Sequence, residues 1–171
     1  MGNGSPECSA PRRSWADRLV SPTTPTVRRA NDADADAIRD LVAAAYAKYI
    51  TLIGRMPMPM LADYGTAMRE HEVWVLEEDD TVVGIIELVP ESDHLWIENV
   101  AIAPSHQGHG LGRRLLALAE VEARRHGLTA LGLLTNERYA DNIAMYERYG
   151  YRETHRTPHV GTDLVHFRKL L

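Results

Sequence analysis

The stretch Val100-Ala101-Ile102-Ala103-Pro104-Ser105-His106-Gln107-Gly108-His109-Gly110-Leu111-Gly112-Arg113-Arg114, continued by Leu115-Leu116-Ala117-Leu118-Ala119-Glu120, is the most informative part of this chain. It opens as an apolar strand, passes through a glycine-punctuated loop and enters a helix. Glycines at 108, 110 and 112 let the backbone approach a bound group closely, since no Cβ intervenes. The loop empties into a helix N-terminus, whose unpaired N–H groups suit a phosphate. A surface turn before a helix would use the same residues, so the loop alone allows both readings.

Downstream, the helix is expected to run to about His126, with Gly127 as its C-terminal cap. A strand over 130–134 leads into Asn136, a helix spans about 142–149 and stops at Gly150, and strands over 151–155 and 164–168 flank a Pro158 and Gly161 turn. Upstream, strand-like runs over 73–76, 82–88 and 95–102 are joined by short acidic turns, which makes an antiparallel meander the natural pairing. Before them, Ile38, Leu41, Val42, Ala45, Tyr46 and Tyr49 recur at three- and four-residue steps, so a helix capped by Asn31 or Asp32 is expected, with Asp34, Asp36 and Asp40 in its early turns. The run 54–60 carries Pro57 and Pro59 and reads as a loop or lid, followed by a short helical pattern with Leu61, Tyr64 and Met68. Residues 26–30 read as a first strand. Residues 1–25 hold Pro6, Pro11, Pro22 and Pro25 with no apolar period, and are expected to form a disordered leader ahead of one domain over 26–171.

A chain of 171 residues can bury one sizeable core. No run of 18 apolar residues occurs, and the first residues lack the pattern of a secretion or acylation signal, so neither a membrane partner nor export is expected. The single cysteine, Cys8, has no partner for an intrachain disulfide, and a reducing, cytoplasmic setting follows as the expectation. A net charge of -5 disfavours nucleic acid as the main partner.

With these elements in place, the chain resembles the GNAT family of N-acetyltransferases from about residue 26 to the end. Gln107-Gly108-His109-Gly110-Leu111-Gly112 fits that family's Gln/Arg-x-x-Gly-x-Gly/Ala signature. The stretch Asn142-Ile143-Ala144-Met145-Tyr146-Glu147-Arg148-Tyr149-Gly150-Tyr151 resembles its Asn-x-Ala-x-Tyr helix closed by Gly and an aromatic residue, and the order of elements agrees as well. The resemblance implies a mixed α/β (α+β) fold, with a mostly antiparallel central sheet flanked by helices. It implies acetyl-CoA as co-substrate, with the pyrophosphate on Gln107, Gly108, His109, Gly110, Leu111 and Gly112. The pantetheine arm is then expected along Val100, Ala101 and Ile102, with Asn142 nearby and Arg113 or Arg114 adding charge or merely facing solvent.

Acyl transfer to an amine needs two proton movements. An alkylamine of pKa about 10.4 is almost wholly protonated near neutrality, and the departing thiolate needs a proton in return. The resemblance assigns the second role to Tyr146. For the first, strict alternation along 95–102 would put Trp96, Glu98, Val100 and Ile102 on one face, leaving Glu98 as a carboxylate in an apolar row. Glu98 then reads as base or water relay, as an anchor for the substrate ammonium, or as a solvent-facing side chain, with Glu87 as the second candidate base. The acceptor side is expected from Tyr46 and Tyr49, the 54–60 loop and the histidines 155, 159 and 166, although core packing also suits at least one of the tyrosines. His106 and His109 lack supporting ligands, so no metal site is expected. A dinucleotide loop is disfavoured because its third glycine would come one residue late of that found here. The acceptor reads as a small-molecule or peptide amine of unspecified identity. A non-catalytic acyl-CoA-binding sensor or interaction domain is the alternative, and a homodimer is left open.

Overall fold

The computed structural model describes residues 24–171, so the expected leader lies outside the described residues apart from its last two positions. Strand β1 (Thr26–Arg29) precedes helix α1 (Ala35–Ile53), and α2 (Tyr64–Glu70) leads into the meander β2 (Glu72–Glu78), β3 (Thr81–Pro90) and β4 (Leu95–Ile102). Helix α3 (Leu111–Arg125), strand β5 (Ala130–Asn136), helix α4 (Ala140–Arg148) and strands β6 (Arg152–His159) and β7 (Thr162–Leu170) complete the order. The result is a mixed α/β fold on one seven-stranded sheet, ordered β1-β2-β3-β4-β5-β7-β6. Every neighbouring pair is antiparallel except β4 and β5, which are parallel because α3 carries the chain back across the sheet between them.

Each face of the sheet has its own core. On one face α3 and α4 pack Leu115, Leu116, Ala119 and Tyr146 against Ile86, Leu88, Ile97 and Phe167. On the other, α1 and α2 pack Ile38, Leu41, Val42 and Tyr64 against Val73, Val75, Ile85 and Ala101. The apolar stripe of α1 is the one its three- and four-residue steps demand, and Gly54 ends that helix in the left-handed region at φ 73°. Among the described residues no helix is long and apolar enough to cross a membrane.

Among the differences from the sequence reading, three shape the site. Helix α4 starts two residues earlier, at Ala140. Strands β6 and β7 run further than expected, so Pro158 lies inside β6 and the turn falls at Val160 and Gly161, both at positive φ. A proline is tolerated there because β6 is the last strand of the sheet. The third difference is in β4. Glu87 pairs with Asn99 and Leu88 with Ile97, so Glu98 is an extra residue, a bulge in the ladder. Leu95 and Ile97 face the α3 core before it, and Val100 and Ile102 face the same core after it. Strict alternation therefore fails at Glu98, and Glu98 and Asn99 are consecutive residues that both line the cavity on the α1 face.

The entrance to α1 makes a stability prediction. The Asn31 side chain accepts from the Ala33 N–H at 3.0 Å, and Asp34 accepts from the Asn31 N–H at 2.8 Å, a reciprocal cap. Asp34 also takes both guanidinium nitrogens of Arg28 at 2.8 Å, and that bond, more than the backbone one, holds its carboxyl below the ordinary 3.8. Asp34→Ala removes a cap and leaves a half-buried arginine with Glu77 as its one remaining carboxylate among the described residues, and is expected to cost about 2 kcal/mol, or several degrees of melting temperature. The folded value lies below the unfolded one, so this contribution is complete above the unfolded pKa of about 3.9 and is lost as pH falls through the folded value. Thermal melts of the two proteins at pH 7 and pH 3 check both parts.

Candidate active site

Strands β4 and β5 pair only through Leu95 with Leu131 and Trp96 with Gly132. Beyond that rung, β4 keeps its β3 neighbour and β5 its β7 neighbour, but the two share no further ladder. The sheet is open along the facing edges of residues 97–102 and 133–136, which leaves backbone donors and acceptors available to an extended ligand lying as an added strand. Val100 and Ile102 turn their side chains into the α3 core and Ala101 into the α1 core, so all three are rigidly held, and no further β4–β5 ladder occupies that edge.

The glycine loop stands at the end of the same edge. Gly108 and Gly110 have φ 82° and 79°, and a Cβ on either would project into open space rather than into protein. Gly110 is the N-cap of α3, and the first helical bond runs from the Arg114 N–H to the Gly110 carbonyl at 3.1 Å, which leaves the amides of Leu111, Gly112 and Arg113 ahead of it. Gln107 is used within the protein: its Nε2 donates to the Ile102 carbonyl at 3.0 Å and braces the loop against the strand end. Arg114 is likewise engaged, with the Pro25 carbonyl, whereas Arg113 is exposed and has no partner among the described residues. The structure thus separates two arginines that the sequence leaves equivalent. His109 is exposed in the loop. His106 is tied to Glu78 at 2.9 Å and to Ser105, which anchors the loop to the end of β2. Among the described residues no cluster of three metal-ligating side chains occurs.

On the α1 face a cavity of about 760 Å³ lies over the opening. Its walls come from α1 at Tyr46, the 55–63 segment, α2, β5 at Thr135 and Asn136, and α4 at Asn142 and Tyr146. Tyr146 belongs to the α3-side core, 6% exposed, with its ring against Tyr151 and Phe167 at 5.7 and 6.0 Å between centroids. It also lines the α1-side cavity, which it reaches only because the sheet is open between the two faces. Burial, and less so Tyr49, pushes its hydroxyl well above the ordinary tyrosine value, so it stays protonated through the neutral range. No described residue hydrogen-bonds to it.

Three acidic or amide side chains meet on the opposite arm. Glu98 is exposed and accepts from the Trp96 indole N–H at 2.8 Å. Glu87, 4% exposed, is directed to the same face, 2.6 Å from Nδ1 of His71, and burial raises its carboxyl while that contact lowers it part of the way back. Asn99 is the hub of a relay in which the Tyr46 hydroxyl donates to Asn99 at 2.8 Å, Asn99 to the Tyr64 hydroxyl at 3.0 Å and Tyr64 to the Pro59 carbonyl at 2.8 Å. That relay ties the acceptor-side segment to β4. Tyr49 does not line the cavity; its ring stacks on Tyr139 at 3.9 Å and its hydroxyl donates to Asn142 at 3.1 Å.

Of the three histidines expected on the acceptor side, only His159 lines this cavity. His155 and His166 stack on each other at 4.1 Å in a neighbouring cavity of about 730 Å³, past Trp96 and Gly132. The two cavities share Glu98 and His71. His71, Asn99 and Arg55 do not stand out in the sequence, since each owes its place to tertiary contacts that no local pattern announces.

Known proteins carry the same architecture. The sequence model of the Acetyltransferase (GNAT) family matches residues 37–151. The chain is 27% identical over 141 residues to the uncharacterized N-acetyltransferase YjgM of Escherichia coli, covering 77% of this chain and 84% of that protein. The structure of yncA, a putative acetyltransferase from Salmonella typhimurium with its cofactor acetyl-CoA, superposes with a TM-score of 0.65 at 28% identity over 86% of this chain and 94% of that one. A GNAT-family acetyltransferase structure from Desulfovibrio desulfuricans superposes with a TM-score of 0.72 at 24% identity, over 86% of this chain and 99% of that one. With a family match over well over half its length, an open β4–β5 edge and a glycine loop at the start of α3, the chain belongs to the GNAT family of acetyltransferases.

Proposed function

We propose that this protein moves an acetyl group from acetyl-CoA to a primary amine, by direct attack with both substrates bound together. The observation that carries the reading is the opening between β4 and β5. It has the glycine loop at one end, a carboxylate-bearing cavity on the α1 face, and Tyr146 reaching through from the other face. Acetyl-CoA supplies the thioester carbonyl carbon as electrophile and the thiol as leaving group. The amides of 108–113 and the exposed Arg113 would hold its phosphates, and the free edge of 100–102 its amide-bearing arm. The acetyl-CoA in the Salmonella relative supports this assignment.

Each proton then has a place to go. Glu98 draws the ammonium into the junction of the two cavities and takes its proton, freeing the nitrogen lone pair. The N–C bond forms as the C–S bond breaks, Tyr146 gives its hydroxyl proton to the departing sulfur, and the second proton shed by the new amide nitrogen returns Tyr146 to the phenol. The thiol-free stretch 24–171 offers no cysteine to carry the acetyl group, in keeping with direct attack. Asn142, whose side-chain carbonyl accepts from the Tyr49 hydroxyl, would flank this line.

The test is the melting temperature with acetyl-CoA, CoA and NADH added separately. At a ligand concentration about 100 times its dissociation constant, stabilisation should approach about 2.7 kcal/mol, which is several degrees for a chain of this size. A shift with both CoA species and none with NADH is expected. No shift with either CoA species at saturation would remove the basis of the reading.

A further inference from the structure

The acceptor cavity contains a cation with no ion-pair partner among the described residues. Gly54 turns the chain off the end of α1, and Arg55 follows it into the cavity wall. Its Nε is fully buried and has no hydrogen-bond partner among the described residues, and no described carboxylate pairs with its guanidinium. Arg113, also without a partner among the described residues, is exposed, whereas the Nε of Arg55 is buried. Arg28, Arg125, Arg156 and Arg168 all pair with carboxylates, and Arg138, its neighbour at the end of α1, donates to the carbonyls of Leu52 and Gly161. A guanidinium donor buried without an acceptor is costly and calls for a partner.

The position of Arg55 says which partner. It stands near Tyr139, where β5 passes into α4, and its charge acts on that hydroxyl. Glu98 and Glu87 project from β4 and β3, on the other arm of the opening, and neither reaches it to form an ion pair. Two further carboxylates, Asp63 and Glu70, line the cavity from the α2 side; Asp63 accepts from the Thr66 N–H and hydroxyl, and among the described residues neither forms an ion pair with Arg55. The glycine loop is not an alternative source of anion, because none of its residues lines this cavity.

Resting on the acetyltransferase reading, we propose that Arg55 is the anion subsite of the acceptor. The substrate is then a small zwitterion, carrying a primary amine for Glu98 and a carboxylate or phosphonate for the Arg55 fork. A planar guanidinium binds such an oxyanion through two parallel N–H bonds, and this fixes the distance and angle at which the amine meets the reacting carbon.

Calorimetric titration of the full chain saturated with CoA separates the outcomes, using β-alanine, aminoethylphosphonate and propylamine as probes. Both zwitterions are expected to bind about 30-fold more tightly than propylamine, the range of a charge-assisted hydrogen-bond pair. Whichever zwitterion binds more tightly identifies the oxyanion. Arg55→Met should bring the zwitterion-to-amine ratio down toward one, and Arg55→Lys, which keeps charge without the fork, should restore part of it. Equal binding of all three probes, no binding by any, or a ratio unchanged in Arg55→Met overturns the proposal. A retained acetyl-CoA thermal shift in that variant shows that the fold and the donor site are intact. Should acetyl-CoA fail to shift even the unaltered protein, the acetyltransferase reading falls instead.

Discussion

Tyr146→Phe is expected to lower kcat about 100-fold or more, the usual size of a lost general acid, while acetyl-CoA still raises the melting temperature as it does in the unaltered protein. The separation of the two effects follows from how the side chain is held. Its ring is fixed by edge and tilted contacts with Tyr151 and Phe167, and phenylalanine keeps both. The hydroxyl spends no hydrogen bond on any described residue, so its removal leaves no protein donor or acceptor unsatisfied. What is lost is a proton that burial keeps on the oxygen throughout the neutral range. Steady-state kinetics beside a thermal shift decide the matter. A large loss of acetyl-CoA affinity with turnover preserved would remove Tyr146 from the role of acid.

The second large effect is expected from Glu98→Gln, about 100-fold in kcat/KM at pH 7 and shrinking steadily as pH rises from 8 toward 10. The amide keeps an oxygen to accept the Trp96 indole N–H, so the local geometry survives and only the charge and basicity go. An amine of pKa about 10.4 becomes neutral tenfold more often with each pH unit, and a neutral amine has no need of a base. The pH profile therefore reads the role directly: a loss that fades with pH marks proton removal, and a loss of the same size at every pH marks an electrostatic anchor. Glu87 is less suited to the task, for its carboxylate is committed to His71 at 2.6 Å.

The glycine loop, the meander and the Tyr146 helix are all legible in the sequence, because turn chemistry, alternation and capping act within a few residues. Sequence reasoning fails where distant segments decide. Alternation places Glu98 and Val100 on one face, and the bulge against Glu87 and Leu88 separates them and adds Asn99 to the cavity instead. Arg55 reads only as part of a proline-broken loop, because being without a carboxylate is a property of its surroundings rather than of its neighbours in sequence. Position along the chain alone assigns His155 and His166 to the acceptor side, and the longer β6–β7 ladder carries them past Trp96 into the adjoining cavity.

The extra residue in β4 also makes the strand unequally tolerant of two kinds of change. Replacing side chains at 97–102 perturbs one contact at a time. Deleting Glu98 would close the bulge and leave Ile97 and Asn99 opposite the consecutive residues Leu88 and Glu87, so Val100 and Ile102 stay in the α3 core, whereas deleting Val100, past the bulge, would carry Ile102 out of that core and bring Ala101 into it. The strand can therefore change length at the bulge without exchanging its faces, and nowhere after it.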